Sequence, residues 1–161
     1  MVSIRVKTLG TPTTDAVAAF KAYIGQSGDA ADASLAAVLT GALEAVGKML
    51  NRSLLACTYE LEMTEREGDA PVKLYMTPNA VTSVKGLLDG ADIAYTHTTG
   101  SRYVSVDGRA TDFVITYTTS IDTAALAQHI GEVWEYGKAK YEGRNADAVF
   151  ILSKVCSITN D

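Results

Sequence analysis

The side chains best suited to chemistry sit in one alternating segment, where Glu60 and Glu62 interleave with Tyr59, Leu61 and Met63. A strand repeats every two residues, so the two carboxylates share a face. A carboxylate pair of that kind has the makings of a general acid and base. A solvated strand face, extended by Glu65 and Glu67 into an acidic arm, explains it as well and is the favoured interpretation. His97 lies near a hairpin tip in Tyr95-Thr96-His97-Thr98-Thr99, and His129 lies one residue off the apolar stripe of the last long helix. Neither is taken as a metal ligand, and both are expected at the surface or its boundary. Cys57 and Cys156 read as reduced, partly buried thiols. No glycine-rich phosphate loop opens a helix, Gly-x-Ser-x-Gly is absent, and Thr99-Gly100-Ser101 is turn chemistry. Tyr95, Tyr103 and Tyr117 could stack bases. With few Lys or Arg beside them, packing in a sheet or interface is favoured. The expectation is a protein that is not an enzyme and needs no cofactor or metal. The rival is a small hydrolase or nuclease using Glu60, Glu62 and His97.

Bulk properties agree with a role played by surfaces. A chain of 161 residues suits one domain with its own core. The net charge of -5 lacks the basic excess of a protein that grips nucleic acid. A mildly acidic wall still suits a protein that surrounds DNA without holding it. Met1-Val2-Ser3-Ile4-Arg5-Val6 has no apolar leader core, and no apolar run is read as membrane-spanning. A cytoplasm-like compartment and no membrane partner are expected.

The elements follow from periodicity. Val2, Ile4 and Val6 alternate with Ser3, Arg5 and Lys7, predicting a strand with its basic side chains on one face. Gly10 to Thr14 breaks it and caps a short helix from Asp15 to Ile24, with Val17, Phe20 and Ile24 on one stripe. A second helix spans about Ala31 to Leu50, with Leu35, Val38, Leu39, Ala42, Val46, Met49 and Leu50 at helical spacing. Its other face is small (Ala36, Ala37, Thr40, Gly41, Ala45, Gly47) and allows close approach of a helix from this chain or from a neighbouring subunit. Alternating strands follow around Thr58 to Thr64, Val72 to Met76, Val81 to Leu88, Ile93 to Tyr95, Tyr103 to Val106 and Phe113 to Thr118, with a hairpin-type turn at Asp89-Gly90. Ser120 or Asp122 caps the last long helix, whose stripe is Leu126, Ile130, Val133, Gly137 and Tyr141, with Trp134 beside it. The predicted class is α+β: a helical bundle with an inserted antiparallel sheet and a C-terminal tail. The predicted divisions are one domain over 1–144, with helices at 13–50 and 122–144 and the sheet at 54–119, and a docking tail at 145–161.

That tail carries Val149, Phe150, Ile151, Leu152, Val155 and Ile158, too apolar for a free terminus. It either folds back on its own bundle or docks on a partner. Arg144 stands at a helix C-terminus, where a cation suits the dipole.

In order and spacing these segments resemble the head-tail connector proteins of tailed bacteriophages, also called adaptor or head-completion proteins, which occur in prophages and gene transfer agents too. The resemblance runs from about Asp15 to Arg144. It rests on Phe20 and Tyr23-Ile24, the alanine-rich helix leading into Leu50-Asn51-Arg52-Ser53-Leu54, Leu74-Tyr75-Met76-Thr77-Pro78, Val81-Thr82-Ser83-Val84, Asp89-Gly90, Phe113 to Thr118, and Tyr141-Glu142-Gly143-Arg144. Departures are the additional strand Val2 to Val6, Asn79-Ala80 between proline and valine, Tyr59 in place of a tryptophan, and no proline before the last helix. The resemblance implies a virion neck protein, made in the bacterial host cytoplasm. It implies a homo-oligomeric, twelvefold ring that binds the portal protein above and a neck or tail protein below, while DNA passes through without specific binding. Other ring-forming neck or tail-completion proteins are the near alternative. Gly41, Ala45, Trp134, Gly137, Tyr141 and Arg144 are the expected subunit-packing positions, and 145–161 the portal-docking segment.

Overall fold

The computed structural model describes residues 1–158, the last two as helix backbone only. The chain forms two compact units, one of Met1–Leu9 with Ala56–Ser120 and one of Gly10–Leu55 with the chain from Ile121 onward. The class is α+β, as the order of periodicities predicts.

The first unit is all β. Its strands are β1 (Val2–Thr8), β2 (Thr58–Met63), β3 (Val72–Lys73), β4 (Ala80–Gly86), β5 (Tyr95–His97), β6 (Tyr103–Val106) and β7 (Phe113–Thr118). They form a four-stranded sheet in the order β1-β2-β7-β4 and a three-stranded sheet in the order β3-β6-β5, with every pairing antiparallel. Leu61, Val84, Phe113, Ile115 and Tyr117 are fully buried, as alternation places them on one face. Tyr59 stacks on Tyr117 with ring centroids 5.4 Å apart. Two arginines tie loops down. Arg66 is buried and donates to the carbonyls of Ala70 at 3.0 Å and Asp107 at 3.2 Å, and Arg102 donates to the carbonyls of Leu74 and Tyr75.

An expectation about strand length changes here, and the disfavoured stacking platform is not formed. The strand predicted to reach Leu88 ends at Gly86, because Gly86 N–H donates to Ala91 O at 2.8 Å and Gly90 N–H to Gly86 O at 3.0 Å, closing the turn early. The three tyrosines form no platform. Tyr117 is core, Tyr103 stands exposed on β6, and the Tyr95 hydroxyl donates to Val81 O at 3.1 Å.

The second unit is helical: α1 (Thr14–Tyr23), α2 (Asp32–Leu50), α3 (Thr123–Tyr141) and α4 (Asn145–Ile158). Thr13 caps α1 and Asp122 caps α3, their side-chain oxygens accepting from Ala16 N at 3.2 Å and Ala125 N at 3.0 Å. Asn51 ends α2 in the left-handed conformation at φ 51. The core is Phe20, Leu35, Leu39, Ala42, Leu43, Val46, Val133, Ala139, Ala148 and Val155. Val38 is half-buried and Met49 exposed, so the α2 stripe is narrower than its spacing suggests. At 19 residues α2 is long and apolar enough to cross a membrane, contrary to the sequence expectation. Its leucines are nonetheless spent on the bundle core. His129 is buried, not peripheral, and sits at non-helical angles (φ -114, ψ 16) that kink α3.

Candidate partner-binding surfaces

The segment 145–158, set apart as a tail by its composition, belongs to the helical unit as α4. Gly143 at φ 73 makes the turn from α3, and Arg144 N–H donates to Ala139 O at 2.7 Å, which closes the end of α3. The helix then divides its apolar residues between two faces. Ala148, Ile151 and Val155 recur at three and four residues and point inward, Ala148 and Ile151 clustering with Ala139 and the half-buried Tyr136. Ile151 and Val155 are therefore held by their own bundle, which corrects their assignment as partner-facing residues. Val149 and Phe150 point outward and are 68% and 61% exposed, and Leu152 is half-buried. Lys154 Nζ lies 4.7 Å from the centroid of the Phe150 ring. The side chain of Ile158 lies outside the described residues. What remains is a small apolar patch, Val149 and Phe150, at the start of α4.

Arg144 immediately precedes α4. Its guanidinium pairs with Asp147 and, at 2.7 Å, with Glu142. Asp147 first and Glu142 second hold its pKa above the ordinary value. These ions lock the turn between α3 and α4, at a helix end where a cation also suits the dipole. Tyr141 is exposed on the preceding turn.

The other expected packing positions divide by environment. Gly137 is buried, and a β-carbon there would run into Phe20, so its smallness serves the bundle itself. Trp134 is half-buried and packs on Tyr23 with centroids 5.2 Å apart. Gly47, from the same small face of α2, meets its own chain, because a β-carbon would stand 2.7 Å from Arg52 O. Gly41 is exposed with open space around it, and Ala45 is half-buried. Gly41 and Ala37 are thus the part of that small face left in solvent. A small cavity of about 90 Å³ lies inside the helical unit, lined by Leu39, Leu43, Leu54, Leu126, Ile130 and Trp134.

Two of the three residues with catalytic potential, Glu60 and His97, are occupied structurally. Glu60 is only 8% exposed, because Arg5 and Lys7 of β1 converge on it, Lys7 Nζ at 2.9 Å. Lys7 first and Arg5 second hold its carboxyl below the usual carboxylate range. The solvated acidic face foreseen at Glu60 is therefore an ion cluster sealed by a strand more than fifty residues away in sequence. The His97 Nε2 lies 2.9 Å from Ser101 O within its own hairpin. Among the described residues no group of His, Cys, Asp and Glu could hold a metal. Cys57 and Cys156 are not joined in a disulfide, the first being buried and the second exposed.

Two surface features went unmarked by sequence patterning. Leu88 is almost wholly exposed on the β4–β5 turn, and β1 is exposed along its whole length. The first was foreseeable once Asp89-Gly90 is taken as a turn, since a tight turn has no interior for the residue before it.

No family model matches the chain, and no curated protein matches it in sequence. Solved structures do match in fold. A chain in the neck of an empty gene transfer agent (GTA) particle, computed with C6 symmetry, aligns over 88% of this chain and 84% of its own, at 19% identity and a TM-score of 0.63. A chain in the virion of a native GTA particle aligns over 86% and 84%, at 18% identity and 0.62. A chain in the neck of a native GTA particle computed with C12 symmetry aligns over 89% and 83%, at 17% identity and 0.53. The fold is shared with neck and virion components of a phage-like particle.

Proposed function

We propose that this chain is a structural protein of a phage-like particle, placed at the neck as one subunit of a ring. In this assignment the ring joins the portal to the next neck or tail component and extends the DNA channel. The observation that carries it is the extent of the fold match, which covers more than four fifths of both chains for a neck component. Fold alone does not fix function. The assignment is supported independently by the order of motifs in the sequence and by what the surfaces can do. The net charge of -5 suits a channel wall that DNA passes without sticking. Val149 and Phe150 form an apolar patch of the kind that docks on a partner, and burying Phe150 would contribute about 1.5–3 kcal/mol before ordering costs. Repeated around a ring, such modest contacts add to a stable joint. The portal is the proposed occupant of that patch, and the open face of α2 around Gly41 the proposed contact between subunits.

The near alternative is another ring-forming component lower in the neck or tail. Order of addition separates the two. A connector binds portal-bearing heads that lack every later component, whereas a completion protein requires the connector first. The hydrolase or nuclease alternative is disfavoured by Glu60, whose carboxylate is already held by two cations, and by His97, whose ring nitrogen is engaged by its own turn.

The deciding experiment is cryo-electron microscopy of particles from the source, with symmetry imposed at the neck. A ring of this fold directly beneath the portal is the expected result. Absence of the chain from the particle would overturn the assignment.

A further inference from the structure

The four-stranded sheet has an open edge at β1. Its register against β2 pairs Val2 with Met63, Ser3 with Glu62, Ile4 with Leu61, Arg5 with Glu60 and Val6 with Tyr59. One step earlier, Met1 and Thr64 exchange both backbone bonds, at 2.9 and 2.6 Å. Bonded and non-bonded pairs alternate in an antiparallel ladder. Ser3 and Arg5 therefore turn their backbone toward β2, and Val2, Ile4 and Val6 turn theirs to the open edge. The far side of β2 agrees, since Thr119 N–H donates to Cys57 O at 2.8 Å, which places Tyr59 and Leu61 on the β7 side.

The same three residues carry an exposed apolar row. Val2, Ile4 and Val6 are 52%, 45% and 37% exposed. A strand edge with free amides and carbonyls beside an apolar row is a template for another strand. Natural edges are usually blunted by proline or by inward-pointing charge, but β1 has no proline, and its Arg5 and Lys7 are directed onto Glu60.

We propose that β1 pairs antiparallel with β1 of a second copy, about a dyad at Ile4. The occupant is specified by self-complementarity. In that register Ile4 faces Ile4 of the second copy and Val2 faces its Val6, so every outward N–H and C=O of the three residues finds a partner. The two apolar rows then adjoin on one face and cover each other. On the other face Arg5 of one copy comes opposite Ser3 of the other, never opposite Arg5. It lies there across Ser3 from Glu62, which makes no ion pair of its own among the described residues, so the charges alternate in sign across the seam. The register shift between Val6 and Thr8 limits the pairing to this stretch. The contact is isologous and closes at two copies. A ring whose subunits all point one way contains no such dyad. The pairing therefore belongs to the free chain, whose edge it shields from indiscriminate strand addition, and it stands whether or not the neck assignment does.

The test uses the full chain in sedimentation velocity over a concentration series. Ile4→Pro removes an outward N–H and leaves the β2 ladder intact. The wild type is expected to show a monomer–dimer equilibrium, and Ile4→Pro to raise the dissociation constant at least tenfold with little change in the unfolding curve. A second readout is independent of stability. In a bonded antiparallel pair the Cα atoms lie about 5.5 Å apart, within the usual disulfide range. Ile4→Cys in a Cys156→Ser background should thus oxidise to a cross-linked dimer, and Arg5→Cys in the same background should not. A wild type monomeric at every concentration overturns the proposal. So does a free chain that closes into rings, or a dimer that Ile4→Pro does not weaken and Ile4→Cys does not trap.

Discussion

A β-carbon on Gly137 would stand 2.9 Å from Cζ and 3.0 Å from Cε2 of Phe20, a ring with no solvent exposure. Glycine within a helix costs about 1 kcal/mol against alanine. At this position the cost is offset by the seat that the glycine gives the buried Phe20 ring against α3. Gly137→Ala is therefore expected to destabilise the protein by about 1–3 kcal/mol through overpacking, despite its better helix propensity. Urea unfolding measures this. A variant as stable as the wild type would mean that the Phe20 ring moves aside at no cost.

Gly41 predicts the opposite sign. It lies inside α2 with open space around it, so Gly41→Ala should stabilise the isolated chain by up to about 1 kcal/mol. If a neighbouring subunit packs on this face, the same change should reduce incorporation into particles. A variant that melts higher and assembles normally removes the α2 face from the proposed ring contact.

Glu60 should make stability depend on acid pH. Its carboxyl is held below the usual range by Lys7 and Arg5, so its contribution is fully present above the ordinary carboxylate pKa. As pH falls through the lowered folded value, Glu60 is protonated in folded and unfolded chains alike, and the contribution is lost. Arg5 and Lys7 are largely exposed, which limits the gain to about 1 kcal/mol. Glu60→Gln should therefore be less stable than wild type at neutral pH, with the gap narrowing in acid. A gap independent of pH would assign the loss to packing.

The exposed patch on α4 calls for point changes. Deleting residues 150–161, the variant that a free tail would suggest, also removes Ile151 and Val155 from the bundle, and is expected to destabilise the fold. Val149→Ser with Phe150→Ser touches only exposed apolar surface and should shift stability by less than about 0.5 kcal/mol. Under the neck assignment it should abolish attachment to portal-bearing heads. Normal attachment by this double variant would clear the patch of that role.

Among the described residues the buried Tyr117 hydroxyl makes no well-formed hydrogen bond, and burial pushes the phenol up to about 12 although the nearby backbone of Met76 and Tyr75 pulls the other way. Removing a buried, unpaired polar group relieves its desolvation cost. Tyr117→Phe is expected to keep or raise the thermal midpoint. A loss of more than about 1 kcal/mol would reveal a bond the hydroxyl makes in solution.

Local periodicity determined much of this protein without help from the fold. The alternation at Tyr59, Leu61 and Met63 and again at Phe113, Ile115 and Tyr117 identified strands, and the spacing of Leu35, Leu39, Ala42 and Val46 identified α2. Ser120 and Asp122 both offered a short accepting side chain at the helix start, and Asp122 is the one that caps it. Such signals depend on residues within a turn or two of each other, so they are written in the order of the chain. What the tertiary structure alone decided is which neighbour each face meets. Glu60 looks solvated in its own segment, and only the pairing of β1 with β2 brings Arg5 and Lys7 onto it. Ile151 and Phe150 are adjacent and similarly apolar, but the angle at which α4 leaves Gly143 turns one into the bundle and the other into solvent. His129 was one position off a stripe, and the kink it occupies rotates it inward. The free edge of β1 exists only because three other strands take the remaining places in its sheet. Burial, ion pairing and edge position are properties of contacts between distant segments, and a one-dimensional pattern supplies the faces but not their partners.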